Sequence, residues 1–112
     1  MPKEVPVYDV GCPVTNTMQL LSKRWVFFII RAIRNDVKTF NAIKRALGGR
    51  ISSRTLADRL HELTAAGLVQ KHVISEKTSK EEYIFTQKGS SIQPMIDNMC
   101  SWAAGWESKM PN

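Results

Sequence analysis

Apolar residues at helical spacing mark the N-terminal third of the chain. A first helix is predicted from Pro13 to about Ser22, because Cys12 can cap it and a proline is tolerated in the first turn. A second helix follows and ends at Asn35. Its apolar positions recur every three or four residues and share one face, which is typical of a helix that packs on a core. These positions are Leu21, Trp25, Phe28, Ile29, Ala32 and Ile33.

A short third helix is predicted next, with a clear start and a clear end. Thr39 offers a hydroxyl cap, and the glycines at positions 48 and 49 stop the helix. Lys44 and Arg45 fall away from its apolar side. That side is formed by Phe40, Ile43 and Leu47.

The helix with the strongest sequence signals covers about residues 52–66. Ser52 is its predicted N-cap, and Ile51 and Leu56 occupy the two positions of a hydrophobic staple. Gly67 supplies the left-handed residue that ends it. The buried stripe is predicted to be Leu56, Leu60 and Leu63. The opposite, polar face carries Ser53, Arg54, Thr55, Asp58, Arg59 and Glu62.

A β-hairpin is predicted over about residues 69–86. The segments 69–74 and 82–86 are rich in β-branched and aromatic residues, and the polar sequence SEKTSKE between them favours a turn. Lys77 and Lys80 make the tip basic. A C-terminal helix follows, which Pro94 either kinks or begins.

This order of elements predicts a winged helix-turn-helix, a mainly α fold with a small β-hairpin (α+β), with terminal dimerisation helices. In this architecture the second helix of the pair enters the major groove of duplex DNA. A chain of 112 residues is expected to form one domain, here residues 12–112, after an N-terminal arm at 1–11. Helix 52–66 is the candidate recognition helix, and hairpin 69–86 is the candidate wing.

The charge pattern supports duplex DNA as the partner. The chain carries a net charge of +6, and between positions 38 and 59 only Asp58 is acidic. Such a surface attracts polyanions at long range. Free N–H groups at the start of the recognition helix can hold phosphates, while Arg54 and Arg59 reach bases or backbone. The candidate DNA-binding residues are Thr39, Arg50, Ser52, Ser53, Arg54, Thr55, Asp58, Arg59, Lys77 and Lys80.

Other classes of function have little support in the sequence. Without a glycine-rich phosphate loop or a nucleophile motif, we expect no enzyme activity and no cofactor. His61 and His72 have no further Cys, His or paired carboxylates at metal-ligand spacing, so we expect no metal site. The chain has no apolar run suited to a signal peptide or a bilayer span, and its two cysteines form no disulfide framework. A cytoplasmic protein is therefore expected.

Four stretches of the sequence match one family pattern: CPVTNTMQLLSKRWVFFIIRAI, FNAIKRAL, ISSRTLADRLHELTAAGLV and EEYIFTQKG. On these motifs the chain resembles the HxlR family of bacterial and archaeal winged-helix regulators over about residues 12–108. The matching residues are Cys12, Pro13, Arg24, Trp25, Phe40, Asn41, Ser52, Leu56, Leu60, Glu82, Tyr83, Thr86 and Gly89. The pattern departs from the family at Ser22 and Lys23, where members often have glycines, and in a wing that lacks the frequent proline.

The resemblance implies a homodimer that places one recognition helix in each half-site of an inverted repeat and controls nearby genes, often by repression. The C-terminal helix also predicts a dimer, since it displays more apolar surface than a small body can cover. The candidate interface residues are Met18, Met95, Met99, Trp102 and Trp106.

Cys12 is a candidate sensor residue. The positive end of a helix dipole favours its thiolate and raises its reactivity toward oxidants and electrophiles. In some regulators of the HxlR family, which this chain resembles, a cysteine at this position acts as a redox or electrophile sensor. The alternative is a small, half-buried residue that fits a crowded dimer interface. Cys100 is expected to serve packing.

Two other functions remain open. A winged-helix module can bind protein without binding DNA, although the face with Arg54 and Arg59 argues against this. The Trp-containing C-terminal helix could lie on a membrane surface, but Asp97 and Glu107 deprive it of a basic polar face. The sequence identifies no small-molecule effector.

Overall fold

The computed structural model describes residues 13–107 and has a winged helix-turn-helix architecture. Its helices are α1 (Pro13–Leu21), α2 (Val26–Arg34), α3 (Phe40–Ala46), α4 (Ser53–Ala65), α5 (Gln87–Ser91) and α6 (Gln93–Glu107). Strands β1 (Val69–Ser75) and β2 (Lys80–Phe85) form an antiparallel hairpin. The predicted fold class is confirmed. The predicted arm at 1–11 and Cys12 lie outside the described residues.

One apolar core lies under α2, α3, α4 and the start of the hairpin. Within residues 13–107 its buried members are all apolar, and no charged or polar side chain is buried with them. Helix α6 contributes Ile96, and α1 contributes no buried residue. The core is Val26, Ile29, Ile30, Ala32, Ile33, Ile43, Ile51, Leu56, Leu60, Leu63, Leu68, Val69 and Ile96.

The predicted apolar face of the second helix is partly wrong. Trp25 lies outside α2 with φ of 79°, in the left-handed region, so the backbone turns sharply between α1 and α2. Phe28 is 54% exposed, although the sequence places it in the core. Val26 and Ile30 are buried in its place. The turn rotates α2 relative to a continuous helix, which brings a different stripe inward.

The local signals around α3 and α4 are confirmed. The Thr39 hydroxyl accepts a hydrogen bond from the Ala42 N–H at 3.2 Å, and the Ser52 hydroxyl accepts one from the Thr55 N–H at 3.0 Å. At the end of α4, Gly67 has φ of 77°, as a left-handed C-terminal residue requires. These residues fix where α3 and α4 begin and where α4 ends.

A tight junction joins α4, the hairpin and α5. The Thr86 hydroxyl donates to the Gly67 carbonyl at 2.5 Å and accepts from the Gly89 N–H at 3.0 Å, so it caps α5. Lys88 donates to the carbonyl of Ala66 at 2.9 Å. The backbone carbonyls of Ala66 and Gly67, which directly follow α4, thereby gain hydrogen-bond donors. These bonds anchor the end of α4 to the base of the hairpin.

Helix α6 begins at the proline that the sequence singled out. Pro94 lies in its first turn, so it starts the helix and does not kink it. Arg34 at the end of α2 pairs with Asp97 through two hydrogen bonds, which fastens α6 to the body. This ion pair lowers the pKa of Asp97 and raises that of Arg34.

Candidate nucleic-acid interface

The outward face of α4 is open to solvent. Leu56, Leu60 and Leu63 hold the opposite face in the core, each at most 1% exposed. Arg54 and Asp58 are exposed on the outward face, and the structure shows no side-chain hydrogen bond or ion pair for either within residues 13–107. The predicted orientation of this helix, leucines inward and polar side chains outward, is what the coordinates show.

The first turn of α4 is organised by short polar side chains. Ser52 caps the helix and also donates to the hydroxyl of Thr55 at 2.9 Å. Lys44 of α3 donates to the Ser53 hydroxyl at 2.8 Å, which ties the start of α4 to the preceding helix. The turn therefore presents fixed hydroxyls and a cation where a helix N-terminus already favours anions.

Arg59, unlike Arg54, has a guanidinium group that is held by hydrogen bonds. Its Nε donates to the Arg24 carbonyl at 3.1 Å, and its Nη1 donates to Glu62 Oε1 at 2.7 Å. Its side chain is 22% exposed. The sequence suggested that Arg59 reaches bases or backbone, whereas the geometry binds it to the turn between α1 and α2. Arg54 is thus the arginine of α4 that is available to a partner.

The wing and α3 form a concave surface beside α4. A cavity of about 580 Å³ is lined by residues of all three elements, among them Thr39, Ala57, Lys71 and Lys80. The Tyr83 N–H donates to the Lys38 carbonyl at 2.8 Å, which holds β2 against the segment before α3. Recognition helix and hairpin therefore open onto the same side of the molecule.

The remaining predicted contacts lie at the edges of this surface. Arg50 is exposed in the loop before α4, and Lys77 is exposed in the turn of the hairpin. Thr39 is half-buried, and its hydroxyl is already used as the α3 cap. Thr39 is therefore less available to a binding partner than Arg50 and Lys77 are.

Sequence reasoning missed several cations of this surface. Lys44 and Arg45 line a concavity with Asn41 at the side of α3, and Lys71 lines the cavity beside the wing. Lys44 and Arg45 belong to the basic stretch between positions 38 and 59 and fall off the apolar side of α3, but the sequence did not single them out as DNA-binding residues. Lys71 lies in a strand whose register fixes its direction, so the sequence alone did not single it out.

A second open surface is apolar and lies on the terminal helices. All five candidate interface residues are exposed, including Met18 on α1 and Trp102 on α6, which is 69% exposed. Exposed apolar surface of this extent marks contact sites in soluble proteins. In the single chain these side chains have no cover.

No helix in residues 13–107 has the length and apolar character needed to cross a membrane. Within that range, no three His, Cys, Asp or Glu side chains are grouped so that they could hold a metal ion.

The comparisons with known proteins agree with this geometry. The profile of the HxlR-like helix-turn-helix family matches residues 20–111. YvaP of Bacillus subtilis strain 168, an uncharacterized HTH-type transcriptional regulator, is 36% identical over 96 residues, which are 85% of this chain and 88% of YvaP. YodB of the same strain, an HTH-type transcriptional regulator, is 34% identical over 93 residues, 82% of each chain.

Solved structures show the same fold. The reduced form of YodB superposes with a TM-score of 0.72 at 34% identity, covering 82% of this chain and 90% of that one. The diamide-treated form of YodB has a TM-score of 0.70 at 33% identity, covering 87% of this chain and 96% of that one. The quinone-bound form has a TM-score of 0.71 at 32% identity, covering 84% of this chain and 99% of that one. The redox regulator HypR, in its oxidized form, has a TM-score of 0.72 at 29% identity over 84% of this chain and 96% of its own.

Fold, open recognition helix and family profile agree, and the relatives are transcriptional regulators and not enzymes. The chain belongs to the HxlR-like helix-turn-helix family of DNA-binding transcriptional regulators.

Proposed function

We propose that the protein is a cytoplasmic homodimer that binds an inverted repeat in duplex DNA and represses nearby genes. Helix α4 lies in the major groove of each half-site, and the wing contacts flanking backbone or the minor groove. The observation that carries this proposal is the outward face of α4, where Arg54 is exposed and without a partner in the described structure. A helix positioned in this way can reach base edges.

Phosphate contacts supply most of the affinity in this proposal. The cations around α4 come from three elements: Lys44 and Arg45 on α3, Arg50 before α4, and Lys71 and Lys80 on the hairpin. Such contacts position the protein on the backbone, whereas the side chains of α4 select the sequence. Binding is therefore expected to weaken steeply as salt concentration rises.

The homodimer follows from the open apolar faces of α1 and α6. Met95, Met99, Trp102 and Trp106 lie along α6, and Met18 lies on α1, all exposed in the single chain. A twofold contact through these helices covers this surface and presents two copies of α4 on one side. The spacing of successive major grooves, about 34–36 Å, sets the distance between them.

The experiment that tests DNA binding is selection of bound sequences from random duplex DNA. The proposal expects an enriched inverted repeat for the wild type, and a changed or lost base preference for Arg54→Ala. Arg31→Ala removes one charge from the exposed face of α2 and serves as the matched control, with the wild-type motif expected. If no motif is enriched for any of them, the protein-binding alternative replaces this proposal.

Redox or electrophile control through Cys12 is the second part of the proposal. It is supported by the relatives, since YodB is known in reduced, diamide-treated and quinone-bound forms and HypR is a redox regulator. Cys12 precedes Pro13, the first residue of α1, and α1 belongs to the proposed dimer contact. Cys12 therefore directly precedes, in sequence, a helix of the proposed dimer contact.

A pair of cysteine variants tests this control. Diamide or a quinone is expected to change operator binding of the wild type and of Cys100→Ser, and to leave Cys12→Ser unaffected. Cys100 is the control because it is a half-buried free thiol of α6 that packs against the core. An equal response of the wild type and Cys12→Ser excludes the sensor role while leaving DNA binding untouched.

A further inference from the structure

A polar cluster joins the turn between α1 and α2 to the middle of α4. Glu62 Oε2 accepts from Lys23 Nζ at 2.5 Å, and Glu62 Oε1 accepts from Arg59 Nη1 at 2.7 Å. Arg59 Nε in turn donates to the backbone carbonyl of Arg24 at 3.1 Å. These three contacts are called the Glu62 clamp below. Two of the contacts connect α4 to the turn between α1 and α2, across 39 and 35 positions of sequence, and the third lies within α4.

The turn that the clamp holds is strained. Trp25 has φ of 79°, a conformation that is rare for a bulky residue with a Cβ atom. The Arg24 guanidinium lies 5.2 Å from the centre of the Trp25 ring, and the Val26 N–H donates to the Lys23 carbonyl at 3.2 Å. A residue persists in this region only when its surroundings hold it. The Glu62 clamp contacts Lys23 and Arg24, the two residues immediately before Trp25.

Apolar packing between α1 and α4 is sparse. Helix α1 has no buried residue, and a cavity of about 500 Å³ lies between α1, the end of α4 and the facing residues of α5 and α6. Leu20, Leu21, Glu62 and Ala66 are among the residues that line it. Leu20 and Leu21 pack the end of α1 against the core. The clamp adds polar contacts between α4 and the turn that follows α1, so the orientation of α1 relative to α4 depends on both.

We infer that Glu62 is a positioning residue for DNA binding, because it fixes the angle between the dimer helix α1 and the recognition helix α4. In a dimer this angle sets the separation of the two copies of α4, and hence which spacing of half-sites is bound. The inference rests on the proposed homodimer and its DNA target. In this inference Glu62 acts through its contacts with Lys23 and Arg59 and not as a ligand of DNA.

The sign of the effect of Glu62→Gln distinguishes positioning from simple charge. Removal of a carboxylate raises the net charge and by itself strengthens attraction to DNA. Loss of the clamp has the opposite effect on the full inverted repeat, for which we expect about tenfold weaker binding and a reduced preference for one half-site spacing. Affinity for a single half-site is expected to stay equal or to increase. Glu107→Gln makes the same charge change at the end of α6 and is expected to weaken binding neither to the full inverted repeat nor to a single half-site.

A distance measurement tests the clamp independently of DNA. Spin labels at Asn16 on α1 and His61 on α4, in protein whose native cysteines are serines and which is diluted with unlabelled chains, report the distance within one protomer. Both side chains are exposed. The clamp predicts a narrow distribution for wild type and a broad one for Glu62→Gln and for Lys23→Gln, which breaks the same contact from the other side.

The two readouts separate the possible failures. A narrow distribution in both variants overturns the clamp, even if the wild type binds an inverted repeat. Broad distributions support the clamp even when no duplex is bound, and in that case the proposed function alone is wrong. Tighter binding of Glu62→Gln to the full repeat, equal to that of Glu107→Gln, also overturns the positioning role.

Discussion

At the residue scale, two arginines of the same helix have different environments and different expected roles. Arg54 is exposed and makes no side-chain hydrogen bond or ion pair within residues 13–107, whereas Arg59 is hydrogen-bonded to Arg24 and Glu62. The first is placed for a partner, and the second supports the helix that carries it. Side-chain type alone does not separate these roles, but the contacts do.

Alanine variants of the two arginines are therefore expected to fail in different assays. Arg54→Ala should weaken binding to a cognate duplex by about 1–3 kcal/mol if it contacts a guanine, with an unchanged melting temperature. Arg59→Ala should lower the melting temperature, because the Arg24 carbonyl and Glu62 lose a donor. Fluorescence anisotropy and circular dichroism measure the two effects. A stable Arg59→Ala protein would contradict the supporting role.

The pH dependence of stability reports on Glu62. The Lys23 and Arg59 contacts hold its pKa below the ordinary value of 4.5, despite partial desolvation. The ionised form thus stabilises the folded state above about pH 4.5, and this contribution is lost as the pH falls through the lowered pKa. Denaturant unfolding should show a difference between wild type and Glu62→Gln that shrinks on acidification below that value. A difference that does not change with pH would contradict the ion pairing.

At the element scale, the junction of α4, β1 and α5 leaves no room for a side chain at Gly89. A Cβ atom there would lie 1.9 Å from the Leu68 carbonyl oxygen and 3.1 Å from the Phe85 ring. The same carbonyl oxygen accepts a hydrogen bond from the Thr86 N–H at 3.1 Å, so a shift of this oxygen would weaken that hydrogen bond. This close approach explains why a glycine stands here.

Gly89→Ala is accordingly expected to destabilise the fold by more than about 3 kcal/mol, at the upper end of single substitutions. Denaturant unfolding by circular dichroism measures the loss. Gly105→Ala in α6 is the matched control, because nothing lies within 4 Å of a Cβ atom at that position. Equal stability of the two variants would contradict the tight junction.

The elements differ in how far the sequence could predict them. Caps and periodic apolar residues predicted α3 and α4, and β-branched and aromatic segments around a polar turn predicted the hairpin, because those signals are local. Leu21 and Trp25 pack against the core as predicted, but the assignment of Phe28 to the same stripe was wrong, since periodicity does not reveal a left-handed residue that breaks a helix. The short helix α5 was missed because its cap, Thr86, is fixed by contacts with Gly67 as well as by its own sequence.

The candidate site was predictable to a similar degree. The exposure of Arg54 follows from the heptad-like spacing of the leucines beneath it. The binding of Arg59 to the Arg24 carbonyl could not be derived in this way, because its partner lies 35 residues away in a turn of unusual conformation. Tertiary contacts of this kind require coordinates.

At the scale of the whole molecule, the open apolar face of α6 makes a dimer the expected state. Met99→Glu together with Trp102→Glu places two charges in this face, where burial without partners is costly. Sedimentation is expected to show a dimer for wild type and a monomer for the double variant, with the helical content retained because neither residue is buried in the single chain. A double variant that sediments as a dimer would exclude this face as the interface.

The central claim is that the outward face of α4 reads duplex DNA. Anisotropy titration of the selected inverted repeat and of a scrambled duplex, over a range of salt concentrations, tests it most directly. The account predicts preferential binding of the repeat, with an affinity that falls linearly with salt on logarithmic axes as counterions are released. Equal affinity for both duplexes, or no binding of either even in dilute buffer, would contradict it.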